Sequence, residues 1–339
     1  MKTISVCMIM KNESKTLSRV LDCVKQFADE IIVVDTGSSD NSKEIAKTYA
    51  TKVLDFKWDN NFSNARNFSF KQATCDYQMW LDADDFITKQ NIEKIKQLKK
   101  LPLADVFMFK YRMENLVFYR ERILNRAKNF QWKGFVHEAI EAQGNIVYTD
   151  IEIEHRKELV QDPKRNLKLY QNAIKIGTPL SPRDTYYYGR ELFYNKQISK
   201  AIQIFKKFLK YENTYAADNL GAYLMLSECL KKQEKLKKAF DVLLEALKKH
   251  NPSAELCCKI GYLAEKLNKD CICWFKFALN CHPQTQGFVD STYEDLVPLL
   301  ELSRLLYQTD FQQAKKYHQR AKKLYPNHKS IIYNEQYFK

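Results

Sequence analysis

The sequence predicts two domains of different fold class: an α/β domain over residues 1–160 and an all-α domain of helical repeats over residues 161–339. Before residue 160, short apolar strand patterns alternate with amphipathic helix patterns, as in the βαβ units of a parallel sheet. After Pro163 the strand patterns stop, and helical segments recur about every 35 to 38 residues. A length of 339 residues is sufficient for two such domains, each with its own core.

The first part opens with residues 4–10, an almost continuously apolar segment that predicts a strand buried on both faces of a sheet. The elements that follow alternate in type along the chain. Helices are predicted at 14–27, 43–49 and 63–73, and strands at 31–34, 52–56 and 77–81.

Polar or charged residues follow three of these strands, and the carboxyl ends of parallel strands form the ligand crevice of such sheets. They are Lys11-Asn12-Glu13, Asp35 and residues 82–85. Because strand side chains alternate, Asp82 and Asp84 leave the last strand on one side and Asp85 on the other. Two converging carboxylates in a crevice indicate a bound cation, since unpaired carboxylates are rarely buried. The alternative is a strand that ends in an acidic turn.

A nucleotide is the expected ligand of this crevice, yet GxGxxG and Walker phosphate loops are absent, and the chain has only 8 glycines. The phosphates would then be held by basic side chains and a metal. A hard cation with oxygen ligands, Mg²⁺ or Mn²⁺, fits paired carboxylates beside a diphosphate.

Four motifs resemble, in order and spacing, the GT-A fold glycosyltransferases of family 2. They are Met8-Ile-Met-Lys-Asn-Glu13, Ile32-Val-Val-Asp-Thr-Gly-Ser-Ser-Asp40, Phe62-Ser-Asn-Ala-Arg-Asn67 and Trp80-Leu-Asp-Ala-Asp84. The resemblance implies a GT-A, Rossmann-like domain in which Asp35 contacts the nucleotide base, Arg66 helps to hold the nucleotide and Asp84 binds the metal that bridges the diphosphate.

Asn12, Glu13 and Asp82 complete the expected nucleotide site, with Asp82 contacting the ribose or standing beside the metal ligands. For Asp35 the alternative role is in a helix-capping turn, and for Arg66 it is a surface salt bridge. A nucleotidyltransferase can share such a core, but its Gly- and Arg-rich triphosphate loop is missing here.

Further strands are predicted at 105–113, 117–124 and 146–155. Metal-dependent members of the family often use a late histidine as an additional metal ligand, and His137 and His155 are the candidates. His155 is favoured because it ends an apparent strand whose side chains would face the crevice. The alternative for either is a structural histidine.

An inverting transferase also needs a base near the acceptor nucleophile. Glu138 is the first candidate, because it follows His137 in a loop rich in Trp and Phe that suits stacking on a sugar. Asp85 is the second and Glu154 the third. For Glu138 a structural salt bridge is the alternative.

The second part repeats a helical pattern in which Tyr186-Tyr-Tyr-Gly-Arg-Glu-Leu192 aligns with Tyr223-Leu-Met-Leu-Ser-Glu-Cys229. The period and the small-residue and aromatic positions resemble tetratricopeptide repeats. Stacked units of this kind present a concave surface that receives an extended peptide or a second subunit. A homo-oligomer formed through the repeats is one expectation.

Three segments narrow the resemblance to the sublancin-type S-glycosyltransferases that modify bacteriocin peptides. They are Lys133-Gly-Phe-Val-His-Glu138, Lys164-Arg-Asn-Leu-Lys-Leu169 and Tyr188-Gly-Arg-Glu-Leu192. The resemblance implies transfer of a hexose from a nucleotide sugar, UDP-linked, to a peptide Cys or Ser/Thr. Around His155 the chain departs from that group, which tends to show a glycine-containing turn after the histidine. The alternatives are transfer to a surface polysaccharide or lipid-linked glycan, and a repeat scaffold without catalysis.

Composition excludes several classes of protein. The net charge of +14 is concentrated after residue 160, where lysines spread through amphipathic helices predict solvated faces rather than a nucleic-acid surface. Residues 4–10 are the longest apolar run, too short for a transmembrane segment or a signal peptide, so a cytoplasmic protein is expected. The 9 scattered cysteines predict reduced thiols, with a zinc site at Cys257–Cys281 as the alternative.

Overall fold

The computed structural model describes residues 1–101, 104–113, 116–156, 162–282 and 290–338. The chain forms two compact units, Met1–Pro179 and Leu180–Lys339. The boundary lies later than the predicted one at 160/161, because the helix Arg165–Lys175 belongs to the first unit. Tyr170 of that helix is fully buried, and its hydroxyl donates a hydrogen bond to the carbonyl of Val136 at 3.1 Å.

The first unit is built on an eight-stranded mixed sheet with the strand order β3-β2-β1-β4-β7-β6-β10-β5 and a separate two-stranded ribbon, β8-β9. The strands are β1 Ile4–Met10, β2 Glu30–Asp35, β3 Lys52–Asp55, β4 Tyr77–Asp82, β5 Asp85–Phe86, β6 Val106–Met113, β7 Leu116–Asn125, β8 Trp132–Lys133, β9 Ala139–Ile140 and β10 Ile146–His155. The helices are α1 Leu17–Val24, α2 Ser42–Lys47, α3 Phe62–Lys71, α4 Lys89–Leu98 and α5 Arg165–Lys175.

Both faces of the sheet are buried, as the continuous apolar pattern of β1 predicts. On one face Val6 and Met8 pack in a core that includes Leu17 of α1 and Ile92 of α4. On the other face Cys7 packs in a core with Phe70 of α3. Side-chain caps begin two of the covering helices: Asn61 accepts from the N–H of Asn64 before α3, and Thr88 accepts from that of Asn91 before α4.

The sheet is mixed: the βαβ part is parallel, as predicted, and the antiparallel strand β7 follows it in the sheet. Strands β1 to β4 are mutually parallel where they pair, whereas β7 runs antiparallel to both β4 and β6. Strand β6 is therefore parallel to β4, and β10 is parallel to β6. The carboxyl ends of β1, β2, β4, β6 and β10 consequently meet at one edge, together with the first half of β7.

The second unit consists of helices that pack in consecutive pairs, as the repeat pattern predicts. They are α6 Pro182–Tyr194, α7 Ile198–Phe208, α8 Ala216–Lys232, α9 Leu236–Leu247, α10 Ala254–Lys266, α11 Ile272–Ala278, α12 Leu296–Leu306, α13 Phe311–Leu324 and α14 Lys329–Asn334. Glycines permit close approach within two pairs: Gly189 of α6 lies against the ring of Phe205, and Gly261 of α10 lies against that of Phe275.

Among the described residues, no helix combines the length and apolarity needed to cross a bilayer. The cysteines in these ranges are all free thiols. Cys257 and Cys281 bring their sulfurs to 4.0 Å, but no third ligand-type side chain of the described residues joins them in a cluster that would hold zinc.

Candidate active site

A cleft of about 760 Å³ opens at the edge of the sheet where the parallel strands end. Its walls come from the ends of β1, β4 and β6, from β7 and β10, from the segment between β8 and β9, and from the beginning of α5. They include Asn12, Glu13, Thr36, Trp58, Phe62, Arg66, Trp80, Asp82, Asp84, Tyr111, Arg120, Trp132, His137, Glu138, His155, Arg165 and Asn166. A crevice at the carboxyl ends of the strands is where α/β sheets bind ligands.

Four side chains converge at the floor of this edge: Asp82, Asp84, Asp85 and His155 offer ligand atoms that all lie within 4.8 Å of one another. Local strand pairing produces this convergence. Strand β4 ends at Asp82, and β5 begins at Asp85 and pairs with the end of β10, which sets Asp85 opposite His155. The Nδ1 atom of His155 lies 3.3 Å from Asp84 Oδ1 and 3.5 Å from Asp85 Oδ1.

The donor set of this cluster fits a divalent cation. Carboxylate oxygens suit Mg²⁺ and Mn²⁺, and an imidazole nitrogen is a common ligand of transition-metal ions. The buried Nδ1 atom of His155 makes no hydrogen bond of acceptable geometry. Burial lowers the pKa of His155, but Asp84 and Asp85 outweigh it and raise that pKa to about 10. The carboxylates around His155 thus favour positive charge at this point, which a bound cation would also supply.

Arg66 binds two carboxylates of the cleft at once. Its Nε donates to Glu138 Oε1 at 2.7 Å, and its NH2 donates to Asp82 Oδ1 at 2.7 Å. The guanidinium also lies beside the rings of Trp80 and Trp132, at 5.2 and 4.8 Å from their centroids. The salt bridge weighed as the alternative role of Arg66 is therefore present, but it is buried and not on the surface. Although burial pushes the pKa of Asp82 upward, the charges of Arg66 and Arg122 hold it below its usual range.

Glu138 lines the cleft with a side chain that is 11% exposed, so the first candidate base faces the space in which an acceptor would lie. Its neighbour His137 lines the same cleft and has a positive φ of 55°. His137 is not among the four side chains that converge at the floor, because it is on the wall between β8 and β9. Its predicted role as a metal ligand therefore finds no support in this geometry.

Asp85 and Glu154, the other candidate bases, do not line the cleft. Asp85 is fully buried and accepts hydrogen bonds from Tyr111, Arg122 and the N–H of Asp82. A carboxylate enclosed in this way cannot reach an acceptor. Glu154 accepts from Arg156 Nε at 2.8 Å, on the partly exposed end of β10. The geometry of the described residues therefore gives less support to Asp85 and Glu154 than to Glu138 as the base.

Two of the residues predicted to bind the nucleotide, Asn12 and Asp35, belong to a hydrogen-bonded turn at the ends of β1 and β2. Asp35 is buried and accepts from the hydroxyl of Ser38 at 2.6 Å. Ser38 Oγ in turn accepts from the N–H of Asn12 at 2.9 Å, and Asn12 Oδ1 accepts from the N–H of Ser39 at 2.7 Å. Asp35 thus organises the turn that presents Thr36 and Asn12 to the cleft, but it does not cap α2, whose N-cap residue is Asn41.

Glu13 stands on the same wall, where Thr16 donates to its carboxylate at 3.0 Å. Burial raises the pKa of Glu13, and the charges of Asp84 and Asp82 add to the rise. Glu13, which follows β1, is thus close enough to the carboxylates at the end of β4 to be affected by their charge.

Three further residues of the site were not predicted. Tyr111 and Arg120 line the cleft from β6 and β7, and Arg122 lies beneath them. Arg120 and Arg122 both contact the ring of Trp80, at 4.9 and 3.5 Å from the centroid. Two arginines within the otherwise largely apolar strand pattern of residues 118–124 are the sequence signal that could have indicated them.

Comparison with known proteins agrees with this geometry. Residues 5–152 match the family model described as glycosyl transferase family 2. The matched domain lies within the first unit. Within that domain lie Arg66, Asp82, Asp84 and Glu138, whereas His155 and the α5 residues of the cleft follow the matched stretch. The predicted classes, a GT-A-like domain followed by tetratricopeptide-like helical repeats, are confirmed.

Each of two curated relatives is named for one of these features. A TPR repeat-containing protein of Synechococcus elongatus, Synpcc7942_0270, is 44% identical over 107 residues, which is 32% of this chain and 27% of that protein. The glycosyltransferase SunS of Bacillus subtilis is 26% identical over 223 residues, which is 60% of this chain and 53% of SunS. The chain thus spans between about a quarter and about half of the length of these two relatives.

Among solved structures, the chain is similar to glucosyl-3-phosphoglycerate synthase of Mycobacterium tuberculosis in complex with Mn²⁺, UDP and glucosyl-3-phosphoglycerate. The TM-score is 0.39 at 15% identity, over 53% of this chain and 82% of that one.

Proposed function

We propose that this protein is a metal-dependent, inverting glycosyltransferase that takes a hexose from a UDP-sugar and transfers it to a cysteine, or to a serine or threonine, of a peptide. The observation that carries the proposal is the convergence of Asp82, Asp84 and His155 at the floor of the cleft of a glycosyl transferase family 2 domain.

In this proposal Asp84 and His155 hold Mg²⁺ or Mn²⁺, with Asp82 beside them. The cation supplies neutralisation of the negative charge that develops on the leaving diphosphate. Asn12, Glu13 and the turn organised by Asp35 bind the nucleoside. Lys11 and Arg120, which also line the cleft, add positive charge for the phosphates.

Glu138 is the proposed base. It would accept the proton of the acceptor thiol or hydroxyl while the acceptor atom bonds to C1 of the sugar and the bond from C1 to the diphosphate oxygen breaks, which inverts the configuration at C1. Because a carboxylate is a weak base, a thiol with a pKa of about 8.5 transfers its proton to it more readily than an aliphatic hydroxyl does. This consideration favours cysteine over serine and threonine.

Arg66 would orient both the proposed base, Glu138, and Asp82 beside the metal. It holds Glu138 and Asp82 at 2.7 Å each, so the orientation of the base is tied to that of a carboxylate beside the metal ligands. This link would hold the proposed base and the carboxylate beside the metal in a fixed relative position. A site that is ordered before the substrates bind loses less entropy in the reaction.

A peptide acceptor is supported by the resemblance to sublancin-type enzymes in residues 133–138 and 164–169, and by the similarity to SunS. Residues of the second segment, in helix α5, line the cleft, and the guanidinium of Arg165 lies over the ring of Phe62 at 5.1 Å from its centroid. The repeats of the second unit would bind the remainder of a peptide or a second copy of the chain.

A panel of nucleotide sugars tests this function. The protein is incubated with Mn²⁺ and each UDP-, GDP- or dTDP-sugar, and release of the nucleoside diphosphate is measured alone, with a cysteine-containing peptide, with its serine-substituted counterpart, and with oligosaccharide acceptors. We expect Mn²⁺-dependent turnover of a UDP-hexose that the cysteine peptide stimulates most. Stimulation by oligosaccharides alone would replace the peptide acceptor with a glycan, and no turnover of any donor would refute catalysis.

A further inference from the structure

Tyr111 lies near the carboxyl end of strand β6, at the cleft. Its hydroxyl is placed between two carboxylates of the acidic cluster. The hydroxyl donates to Asp85 Oδ1 at 3.0 Å and lies 3.4 Å from Asp82 Oδ2. The side chain is buried, with the residue 4% exposed, and it forms part of the cleft wall. It is therefore in contact with the floor of the site, although it offers no strong ligand atom to a cation itself.

Arg122 lies behind Tyr111 and is fully buried. Its NH1 donates to Asp85 Oδ2 at 3.2 Å and to the carbonyl of Trp80 at 3.1 Å, whereas its Nε and NH2 make no hydrogen bond. The ring centroids of Trp80 and Tyr111 lie 3.5 and 4.2 Å from the guanidinium carbon. Tyr111 thus donates its hydroxyl hydrogen bond to Asp85, and its ring is one of the two aromatic rings that stabilise the Arg122 guanidinium beside Asp85.

Asp85 connects Tyr111 and Arg122 with two side chains of the proposed metal site, Asp82 and His155. Its Oδ2 accepts from the N–H of Asp82 at 3.0 Å, which fixes the main chain where β4 turns into the Asp82-Ala83-Asp84 segment. Its Oδ1, the atom that Tyr111 binds, lies 3.5 Å from His155 Nδ1. The buried carboxylate of Asp85 therefore contacts both Asp82 and His155.

We propose that Tyr111 is a positioning residue of the metal site: by holding Asp85, together with Arg122, it fixes the orientations of Asp82 and His155 around the cation. The proposal rests on the metal binding assigned under the proposed function, and not on the identity of sugar or acceptor. Partners behind metal ligands act in this way because they fix ligand orientation before the cation arrives.

Tyr111→Phe tests the proposal with a change of one hydroxyl group. Tyr49→Phe is a matched control, since Tyr49 also donates to a carboxylate of the first unit, Asp22 at 3.2 Å, but on the surface and outside the cleft. Binding of Mn²⁺ alone is measured by the loss of the electron paramagnetic resonance signal of free Mn²⁺, and the melting temperature of each variant is recorded. We expect Tyr111→Phe to weaken Mn²⁺ binding by about 10-fold or more, with Tyr49→Phe within about twofold of wild type.

A second comparison separates positioning from a general loss of structure. In an Asp85→Asn background, Tyr111→Phe should weaken Mn²⁺ binding by less than it does in the wild type, because both changes act through the same carboxylate. Equal effects in the two backgrounds would refute transmission through Asp85. If Tyr111→Phe lowers the melting temperature but leaves Mn²⁺ affinity at the wild-type value, the positioning role is refuted while the proposed glycosyltransferase stands. Absence of Mn²⁺ binding by the wild type would refute both the positioning role and the metal dependence.

Discussion

Replacement of Arg122 by methionine should destabilise the first unit strongly, because it leaves the buried carboxylate of Asp85 without its cation. Both side chains have 0% exposure, and the lost contacts are the 3.2 Å ion pair with Asp85 and the 3.1 Å hydrogen bond to the carbonyl of Trp80. Removal of one partner of a buried ion pair typically costs about 3–5 kcal/mol of unfolding free energy. For a domain of this size that loss corresponds to a decrease of about 6–20 °C in melting temperature.

Urea unfolding followed by tryptophan fluorescence is a suitable assay, because Trp58, Trp80 and Trp132 belong to the first unit and only Trp274 to the second. Arg112→Met is the matched control. Arg112 of β6 also forms a two-bond ion pair, with Glu152 at 2.8 Å, but its side chain is 44% exposed, and exposed pairs contribute little. Equal losses for Arg112→Met and Arg122→Met would refute the reasoning. The double variant Arg122→Met/Asp85→Asn should recover part of the loss, since the unpaired charge is then removed.

Glu138→Gln should abolish transfer while UDP-sugar binding, measured by calorimetry, stays close to wild type; near-normal turnover would remove Glu138 from the mechanism. Glu30→Gln should reduce the loss of stability at low pH. Although burial acts in the opposite direction, hydrogen bonds from Lys52, Ser5 and Thr74 lower the pKa of Glu30 from 4.5 to about 2. The contribution of Glu30 to the unfolding free energy is therefore present above pH 4.5 and is lost as the pH falls towards 2. Urea unfolding at several pH values measures this, and parallel curves for variant and wild type would contradict it. Gly189→Ala should destabilise the second unit by about 1–3 kcal/mol despite the better helix propensity of alanine, because a Cβ would stand 2.7 Å from the buried ring of Phe205; a melting temperature equal to or above the wild type, measured by circular dichroism, would contradict the packing argument.

Much of the candidate site could be predicted from the sequence, because it is built from strand ends that are local in the chain. An apolar strand followed by Asp82-Ala83-Asp84 indicates a carboxylate pair at the end of a strand, and His155 ends another strand at the same edge. Strand alternation and order suffice for such predictions.

The environment of Asp85 could not be predicted in this way. It depends on the antiparallel insertion of β7 between β4 and β6, and on a shift in pairing register at Arg122, where Ile123 pairs with Phe107 but Glu121 pairs with Met108. Alternation along a single strand contains neither piece of information, so Asp85 was predicted to leave the strand away from Asp84 as a possible base. The position of α5 has the same origin, since its packing on Val136 is a contact between residues distant in the chain.

Calorimetric titration of UDP, the group common to all UDP-sugars, tests the central claim most directly. It is carried out with and without Mn²⁺ on the wild type, on Asp84→Asn, and on Asp55→Asn as a control, since Asp55 also ends a strand but is exposed and paired with Lys43. We expect the wild type and Asp55→Asn to bind UDP only when Mn²⁺ is present, and Asp84→Asn to lose this binding. Binding of UDP that is independent of Mn²⁺, or unchanged by Asp84→Asn, would contradict it.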